Sequence, residues 1–208
     1  MLNLNPRIRP IAILLVVAAY GSPSPAAQST DRNSFFLRLV DAAIERTSHS
    51  VTYDGGYRRI PYPGGDVPDD IGVCTDLVVR SYRSVGVDLQ RRVHEDMTAD
   101  FGAYPDSWGL SGPDPSIDHR RVPNLQTFFR RQDALLPVTD DPDDYRPGDV
   151  VTWMLPGNLP HIGLVTDRAS ADGRRLLVVH NIGNGPEIED VLFGFPVTGH
   201  YRYQPRER

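Results

Sequence analysis

The N-terminal two thirds of the chain carry apolar residues at a spacing of three to four positions. This period places apolar side chains on one face of a helix. It predicts helices over residues 31–48 and 74–85, a less regular helix over 91–101 and a short one over 124–131. Gly86 follows the second of these, at the position where a glycine commonly ends a helix. We therefore expect a helical layer before any sheet.

The C-terminal third changes to short runs of β-branched and aromatic residues. Residues 149–154, 161–167 and 176–181 are such runs, and 199–203 is a further candidate strand. The Asp-Gly dipeptide at 172–173 is typical of a hairpin turn between the second and third runs. Helices followed by strands predict an α+β fold, in which N-terminal helices pack on an antiparallel β-sheet formed by the C-terminal third.

Three segments show neither the helical spacing nor the strand pattern. Residues 53–66 are too rich in Gly and Pro for regular structure, 102–122 form a long loop, and 140–144 form an acidic turn. A loop as long as 102–122 is usually functional or disordered, and the sequence does not decide whether it acts as a lid. We interpret the acidic turn as solvated, because its spacing fits no calcium-binding loop.

The first 27 residues have the pattern of a secretory signal peptide. Arg7 and Arg9 precede an apolar run at 11–20, and small residues at 26–27 fit a cleavage site. The apolar run is shorter than the ~20 residues that a membrane span needs, and no later segment is long enough. We expect residues 28–208 to form one exported domain, secreted or periplasmic, without a membrane span. An uncleaved N-terminal anchor is the alternative.

The composition excludes several classes of protein. All 22 basic residues are arginine, so a Ser–Lys dyad, a Schiff-base lysine and a P-loop lysine are ruled out. After signal removal 20 basic residues face 27 acidic ones, a net charge near −7, which argues against nucleic acid as a partner. An apolar content of 39% is enough for one core, and we expect a monomer.

The candidate nucleophile is the only cysteine of the chain, Cys74, at the start of the second predicted helix. It has no partner for an intramolecular disulfide, and a helix N-terminus favours a thiolate. The alternative is a buried structural cysteine that packs as a small apolar group.

Two histidines belong to the predicted hairpin. His161 begins one strand and His180 ends the next, so antiparallel pairing brings them together. If the Cys74 helix packs across this end of the sheet, Cys74 attacks, His161 acts as the base and His180 orients His161. Asn181 is the alternative orienting residue, because neighbours in a strand point to opposite faces.

These segments resemble the NlpC/P60-type peptidases, papain-like bacterial hydrolases that cut the peptide stems of the cell wall. The resemblance rests on Cys74 at a helix start, Pro-Gly-Asp at 147–149, His-Ile-Gly at 161–163 and His180 on the following strand. More closely, the chain resembles the domain of unknown function numbered 1287. The segments that carry this second resemblance, which covers residues 34–203, are 72–76, 118–124 and 180–183.

The NlpC-type resemblance implies a hydrolase that needs no cofactor. In that group a tyrosine ahead of the cysteine helps to line the oxyanion region, and Tyr53, or Tyr57 in its place, occupies the comparable position. This chain departs from the usual Asp-Cys-Ser-Gly around the nucleophile, since residues 73–76 read Val-Cys-Thr-Asp. The loop at 102–122 has no obvious counterpart. Both departures bear on substrate specificity more than on the chemistry.

Other polar residues are secondary candidates. Asp76 lies in the first helical turn, where an acid suits the helix dipole, and we interpret it as structural first and site-lining second. His119, Arg120 and Arg121 are candidate substrate-binding residues, because arginine forks bind carboxylates and wall peptides are rich in them. One cysteine and no His-x-x-x-His pair argue against zinc, and no Gly-x-Ser-x-Gly is present. We expect no metal.

The sequence thus predicts a secreted cysteine hydrolase that cleaves an amide bond, with peptidoglycan stem peptides as its substrate. One alternative is a non-catalytic module of the same fold that binds the cell wall or a partner protein. Another is an amidase or transferase that acts on a substrate outside the wall.

Overall fold

The structure is a computed structural model that describes residues 25–206, with side chains from residue 34 onward. Four α-helices precede most of the strands. They are α1 (Pro25–Glu45), α2 (Cys74–Ser84), α3 (Leu89–Ala99) and α4 (Val122–Arg131). The first helix begins six residues before the expected Asp31, and the others begin within two residues of the expected positions. The predicted helical layer is therefore present in this part of the chain.

Within residues 25–206, eight strands form two sheets. They are β1 (Thr52–Tyr53), β2 (Ile71–Gly72), β3 (Leu135–Leu136), β4 (Val150–Leu155), β5 (Leu159–Ala169), β6 (Leu176–His180), β7 (Glu187–Glu189) and β8 (Val197–Tyr201). The first two pair in parallel as a small sheet, and the other six form an antiparallel sheet in the order β3-β8-β4-β5-β6-β7. The predicted α+β class, with helices packed on an antiparallel sheet of C-terminal strands, is confirmed.

Both faces of the large sheet are covered. On one face Ile162, Leu164 and Val179 join a core made with the helices. On the other face Trp153 and Val178 pack with a second group of buried residues, among them Tyr145 and Leu192 from the flanking loops. The period of two along each strand sorts the side chains between these clusters. Every core residue of β4 to β6 therefore has a partner layer, which is why these strands contain few polar residues.

The turn before β4 depends on a glycine. Gly148 has a φ of 86°, and a Cβ at this position would lie 2.8 Å from the Phe36 side chain of α1. The next residue, Asp149, is fully buried and meets Nε2 of His200 at 2.7 Å and Nε of Arg202 at 2.7 Å. His200 stacks on Tyr145. His200 is therefore part of the interior.

The segment at 102–122 is mostly irregular, as expected, with two short 3-10 helices at Phe101–Ala103 and Asp118–Arg120. Its end is buried, however, because Asp118 and the two residues after it pack against α2, α3 and α4. Most of the predicted signal peptide, residues 1–24, lies outside the described residues, and its export role stays a prediction. Within residues 25–206 no helix is long and apolar enough to cross a membrane.

Candidate functional site

Cys74 is the first residue of α2, and its side chain is buried, with 4% of its surface exposed. The short strand β2 leads directly into this helix and pairs with β1, so that Tyr53 lies opposite Gly72. This pairing brings the Tyr53 hydroxyl to the thiol, where the two side chains hydrogen-bond. The amide of Cys74 belongs to the first helical turn, whose N–H groups have no partner within the helix.

The thiol is in its neutral form. Burial raises its pKa to about 11, and the backbone N–H of Ile162 and the Tyr53 hydroxyl offset this only in part. Burial, followed by the neighbouring Cys74 thiol, raises the pKa of Tyr53. The sequence led us to expect that the helix N-terminus would favour the thiolate. Desolvation outweighs that effect here, because a charge in a dry site loses its hydration.

His161 and His180 form a buried pair. Nε2 of His161 lies 3.3 Å from Nδ1 of His180, and the two rings are perpendicular. The Trp153 indole lies against the His161 ring, at 5.8 Å between centroids. Burial, with a smaller contribution from His180, lowers the pKa of His161 to about 3, so the imidazole is neutral. Its other nitrogen, Nδ1, takes part in no hydrogen bond of the described residues.

The strand register decides between His180 and Asn181 as the neighbour of His161. Gly163 pairs directly with His180, so His180 shares the face of Gly163 and therefore of His161, two residues earlier. Asn181 points to the opposite face, and its side-chain oxygen accepts a hydrogen bond from the amide of Gly183. The geometry thus leaves His180, and not Asn181, in contact with the candidate base.

Gly163, the glycine of the His-Ile-Gly motif, is required by this pairing. A Cβ at residue 163 would lie 2.8 Å from Val178 Cγ1, 2.8 Å from the Val179 carbonyl and 3.0 Å from His180 Cβ. Each of these distances is below ordinary van der Waals contact. A side chain here would push β6, and with it His180, away from His161.

The thiol and the imidazoles lie near the start of β5, on opposite faces of the strand. Sγ of Cys74 lies on the backbone N–H of Ile162, one residue from His161, whose side chain leaves the strand on the other face. No hydrogen bond between Cys74 and His161 is present among the described residues. The structure therefore places the Cys74 thiol of α2 at Ile162 and the candidate base one residue earlier on β5, with both groups neutral and no hydrogen bond between them.

Asp76 and Arg120 form a buried ion pair beneath the thiol. The guanidinium donates to both carboxylate oxygens, at 2.8 and 2.9 Å, and the two side chains are 3% exposed or less. Arg120 also donates to the carbonyls of Asp54 and Gly56. Asp76 accepts from the amide of Val73 as well. This pair fastens the Tyr53 loop to the helix that carries Cys74, so Asp76 lies below the site as a structural residue.

The three candidate substrate-binding residues occupy different environments. The Arg120 guanidinium donates to Asp76 in the buried ion pair. His119 is buried, and burial followed by the nearby charges of Arg120 and Arg83 lowers its pKa to about 4. Arg121 lies 4.1 Å over the Trp108 ring, beside a small cleft, and contacts Asp118. The structure does not bring these three residues together as an open cluster of cations.

Of two further residues, Tyr57 lies apart from the site and Glu189 lies beside it. Tyr57, the substitute for Tyr53, is 61% exposed, and the described contacts do not join it to Cys74. Glu189 of β7 places a carboxylate oxygen 2.9 Å from Nε2 of His180. The sequence pattern did not single out Glu189. The alternation of acidic and apolar residues at 187–189 is the only signal that indicates a further strand beside His180.

No cluster of three or more metal-ligating side chains occurs within residues 25–206 where side chains are described. The thiol, the paired imidazoles and the tyrosine hydroxyl can instead move protons and stabilise an oxyanion. These are the groups that acyl transfer by a cysteine requires.

The class that this architecture defines is an α+β domain with a cysteine at a helix start and two histidines on adjacent antiparallel strands. The family model for DUF1287, a domain of unknown function, matches residues 40–203. The chain belongs to that family, as the sequence motifs predicted. It is also similar to the uncharacterized protein YijF of Escherichia coli (strain K12), at 45% identity over 196 residues, which cover 93% of this chain and 95% of that protein.

Two solved structures from Trichomonas vaginalis, NlpC1 and NlpC2, are also similar to this chain. Their identities are 14% and 15%, and each superposition has a TM-score of 0.44. The matches cover 82% and 83% of this chain. The chain spans less than half the length of either structure, 45% and 47%.

Proposed function

We propose that this chain is an exported cysteine hydrolase that cleaves an amide bond in peptidoglycan stem peptides. The observation that carries the proposal is the arrangement at the start of β5. A thiol at a helix N-terminus lies on the Ile162 amide, and the adjacent residue, His161, is paired with His180 at 3.3 Å. Cys74 is the nucleophile, His161 the base and His180 the residue that orients it.

The reaction proceeds in two halves. Sγ of Cys74 attacks the carbonyl carbon of the scissile amide while its proton passes to Nδ1 of His161. The tetrahedral intermediate collapses, and the C–N bond breaks as His161 returns that proton to the leaving amine. A water, deprotonated by His161, then attacks the thioester, and cleavage of the C–S bond releases the carboxylic acid and restores the thiol.

Tyr53 and the Cys74 amide are the oxyanion donors. The hydroxyl already lies at the thiol, and the Cys74 amide, which has no acceptor within the helix, donates to that hydroxyl in the free protein. Loss of one such donor typically raises the barrier by about 3–4 kcal/mol. Tyr53 is 43% exposed, so the residue that covers the thiol itself borders solvent.

Protons move during the attack, because the resting groups are neutral. With a thiol pKa of about 11 and an imidazole pKa of about 3, the free protein does not hold a thiolate–imidazolium pair. Since no hydrogen bond joins Cys74 to His161 within the described residues, the scheme requires that substrate binding bring Sγ and Nδ1 of His161 together. Neither a cofactor nor a metal enters the scheme, and the protein acts as a monomer at the cell wall.

The test is digestion of purified peptidoglycan fragments, with the products identified by mass spectrometry. Wild type should release new amine and carboxylate termini, and Cys74→Ser and His161→Gln should not. His49→Gln is the matched control, because His49 is a surface residue bonded to Glu45 and should leave the products unchanged. Identical fragments from wild type and a folded Cys74→Ser variant would end the proposal.

One observation favours a second candidate, a non-catalytic module that binds wall peptides or a partner protein. The thiol is buried, has a raised pKa and lacks a hydrogen bond to His161 within the described residues. Binding of wall fragments with equal affinity by wild type and Cys74→Ser, without cleavage, would favour the module. Unchanged wall fragments with a rapidly alkylated Cys74 would instead indicate an amidase or transferase with a substrate outside the wall.

A further inference from the structure

Glu189 lies at the far end of the histidine pair. Its Oε2 is 2.9 Å from Nε2 of His180, whose side chain is 1% exposed, whereas the glutamate is 45% exposed. Glu189 thus makes a polar contact with His180, and no other partner meets this buried nitrogen within the described side chains. The carboxylate is therefore the one acceptor in place for it.

A carboxylate at Nε2 restricts the protons of both rings. An ionised carboxylate only accepts, so Nε2 of a neutral His180 must carry the proton and Nδ1 must be the acceptor. The neighbouring contact, at 3.3 Å, then needs a donor on the other side, so Nε2 of His161 carries its proton. Nδ1 of His161 is left without a proton.

We propose that Glu189 is a positioning residue that sets the tautomers of both histidines and so leaves Nδ1 of His161 able to accept the thiol proton. The inference rests on the proposed function only where it concerns catalysis. If Glu189 is removed, His180 is free to carry its proton on Nδ1 and to donate it to Nε2 of His161. The proton of His161 then moves to Nδ1, and the base is lost.

The other charged groups near His180 do not impose this order. Glu187 lies directly opposite His180 across the β6–β7 pairing and adds negative charge, but its carboxylate makes no described contact with the ring. His161 on β5 is neutral, and Cys74 on α2 is neutral as well. Glu187→Leu is thus a matched control, because it removes a charge from the same strand and the same face.

The experiment is ¹⁵N NMR of the full chain labelled at its six histidines, with resonances assigned through single His→Gln variants. In wild type at neutral pH, His161 and His180 should both show the Nε2–H tautomer. Glu189→Leu should convert a substantial fraction of His161 to the Nδ1–H tautomer, and Glu187→Leu should not. Glu189→Gln, whose amide oxygen still accepts, should retain most of the wild-type pattern.

An unchanged tautomer of His161 in Glu189→Leu would overturn the inference. Because Glu189 is half exposed, the variant should fold, and the backbone amide spectrum checks this. If wild type cleaves wall fragments, Glu189→Leu should lower kcat about 10- to 100-fold with little change in KM, the size expected from losing a charge-assisted hydrogen bond. If no chain cleaves but the tautomers shift as described, the proposed function fails and the positioning role stands.

Discussion

The buried ion pair between Asp76 and Arg120 is the most consequential single interaction beneath the site. Asp76→Asn keeps the shape of the side chain but leaves the Arg120 guanidinium buried without a countercharge. Removing one partner of a buried pair typically lowers the free energy of unfolding by about 3–5 kcal/mol. A domain of this size has roughly 5–15 kcal/mol in total, so we expect a large fall in the urea midpoint.

Loss of the ion pair should also increase the exposure of the Cys74 thiol. Arg120 joins the carbonyls of Asp54 and Gly56 to Asp76, and that loop carries Tyr53 against Cys74. A loosened loop exposes the thiol, so Asp76→Asn should be alkylated faster than wild type under native conditions. Stability and alkylation are thus two readouts of the same contact.

The assay is equilibrium unfolding in urea, followed by tryptophan fluorescence. Asp140→Asn, at an exposed turn, is the control and should change the free energy of unfolding by less than about 0.5 kcal/mol. In the double variant Asp76→Asn with Arg120→Met both charges are absent. Its loss in free energy of unfolding should therefore be smaller than the sum of the two single losses by about 0.5–3 kcal/mol. A loss below about 1 kcal/mol for Asp76→Asn, with additive behaviour in the double variant, would refute this account.

Three further predictions concern the buried histidines and the thiol. Gly163→Ala should lower the free energy of unfolding by about 1–3 kcal/mol and displace His180, measured by urea unfolding and histidine NMR; a neutral effect would contradict the packing. The alkylation rate of Cys74 should keep rising to a pH of about 11, and a plateau below pH 8 would show an ion pair with His161. The pKa values of His119 and His161, about 4 and about 3, lie below the ordinary 6.5. The unfolded chain therefore binds protons first, so stability is full above pH 6.5 and falls as pH drops, and urea midpoints against pH should lose part of this slope in His119→Gln.

The regular elements followed from local patterns because their stabilisation is periodic. Apolar residues spaced three to four positions apart predict the end of α2 to within one residue. The Asp-Gly at 172–173 marks the hairpin between β5 and β6. The short strands β1, β2, β3 and β7 were not predicted. Two or three residues carry too little periodicity, and such strands exist only because a neighbouring strand offers hydrogen bonds.

The site was predictable in part, because strand pairing and motif order can be inferred from local patterns. Antiparallel pairing alone brings His161 beside His180, and the motif order indicates the family. The choice between His180 and Asn181 needed the register, since a shift of one residue exchanges the two faces of a strand. The ion pair between Arg120 and Asp76 joins residues 44 positions apart, and no local sequence pattern predicts such a contact.

The amino-acid sequence by itself determined the α+β class, the family and the positions of the single thiol and its histidines along the chain. These features depend on residue type and spacing, which can be read directly from the sequence. Tertiary structure alone decided the charge state of Cys74, the partner of His161 and the presence of Glu189 behind His180. Desolvation and contact distance are properties of what surrounds an atom in three dimensions, and residues remote in the chain supply those surroundings.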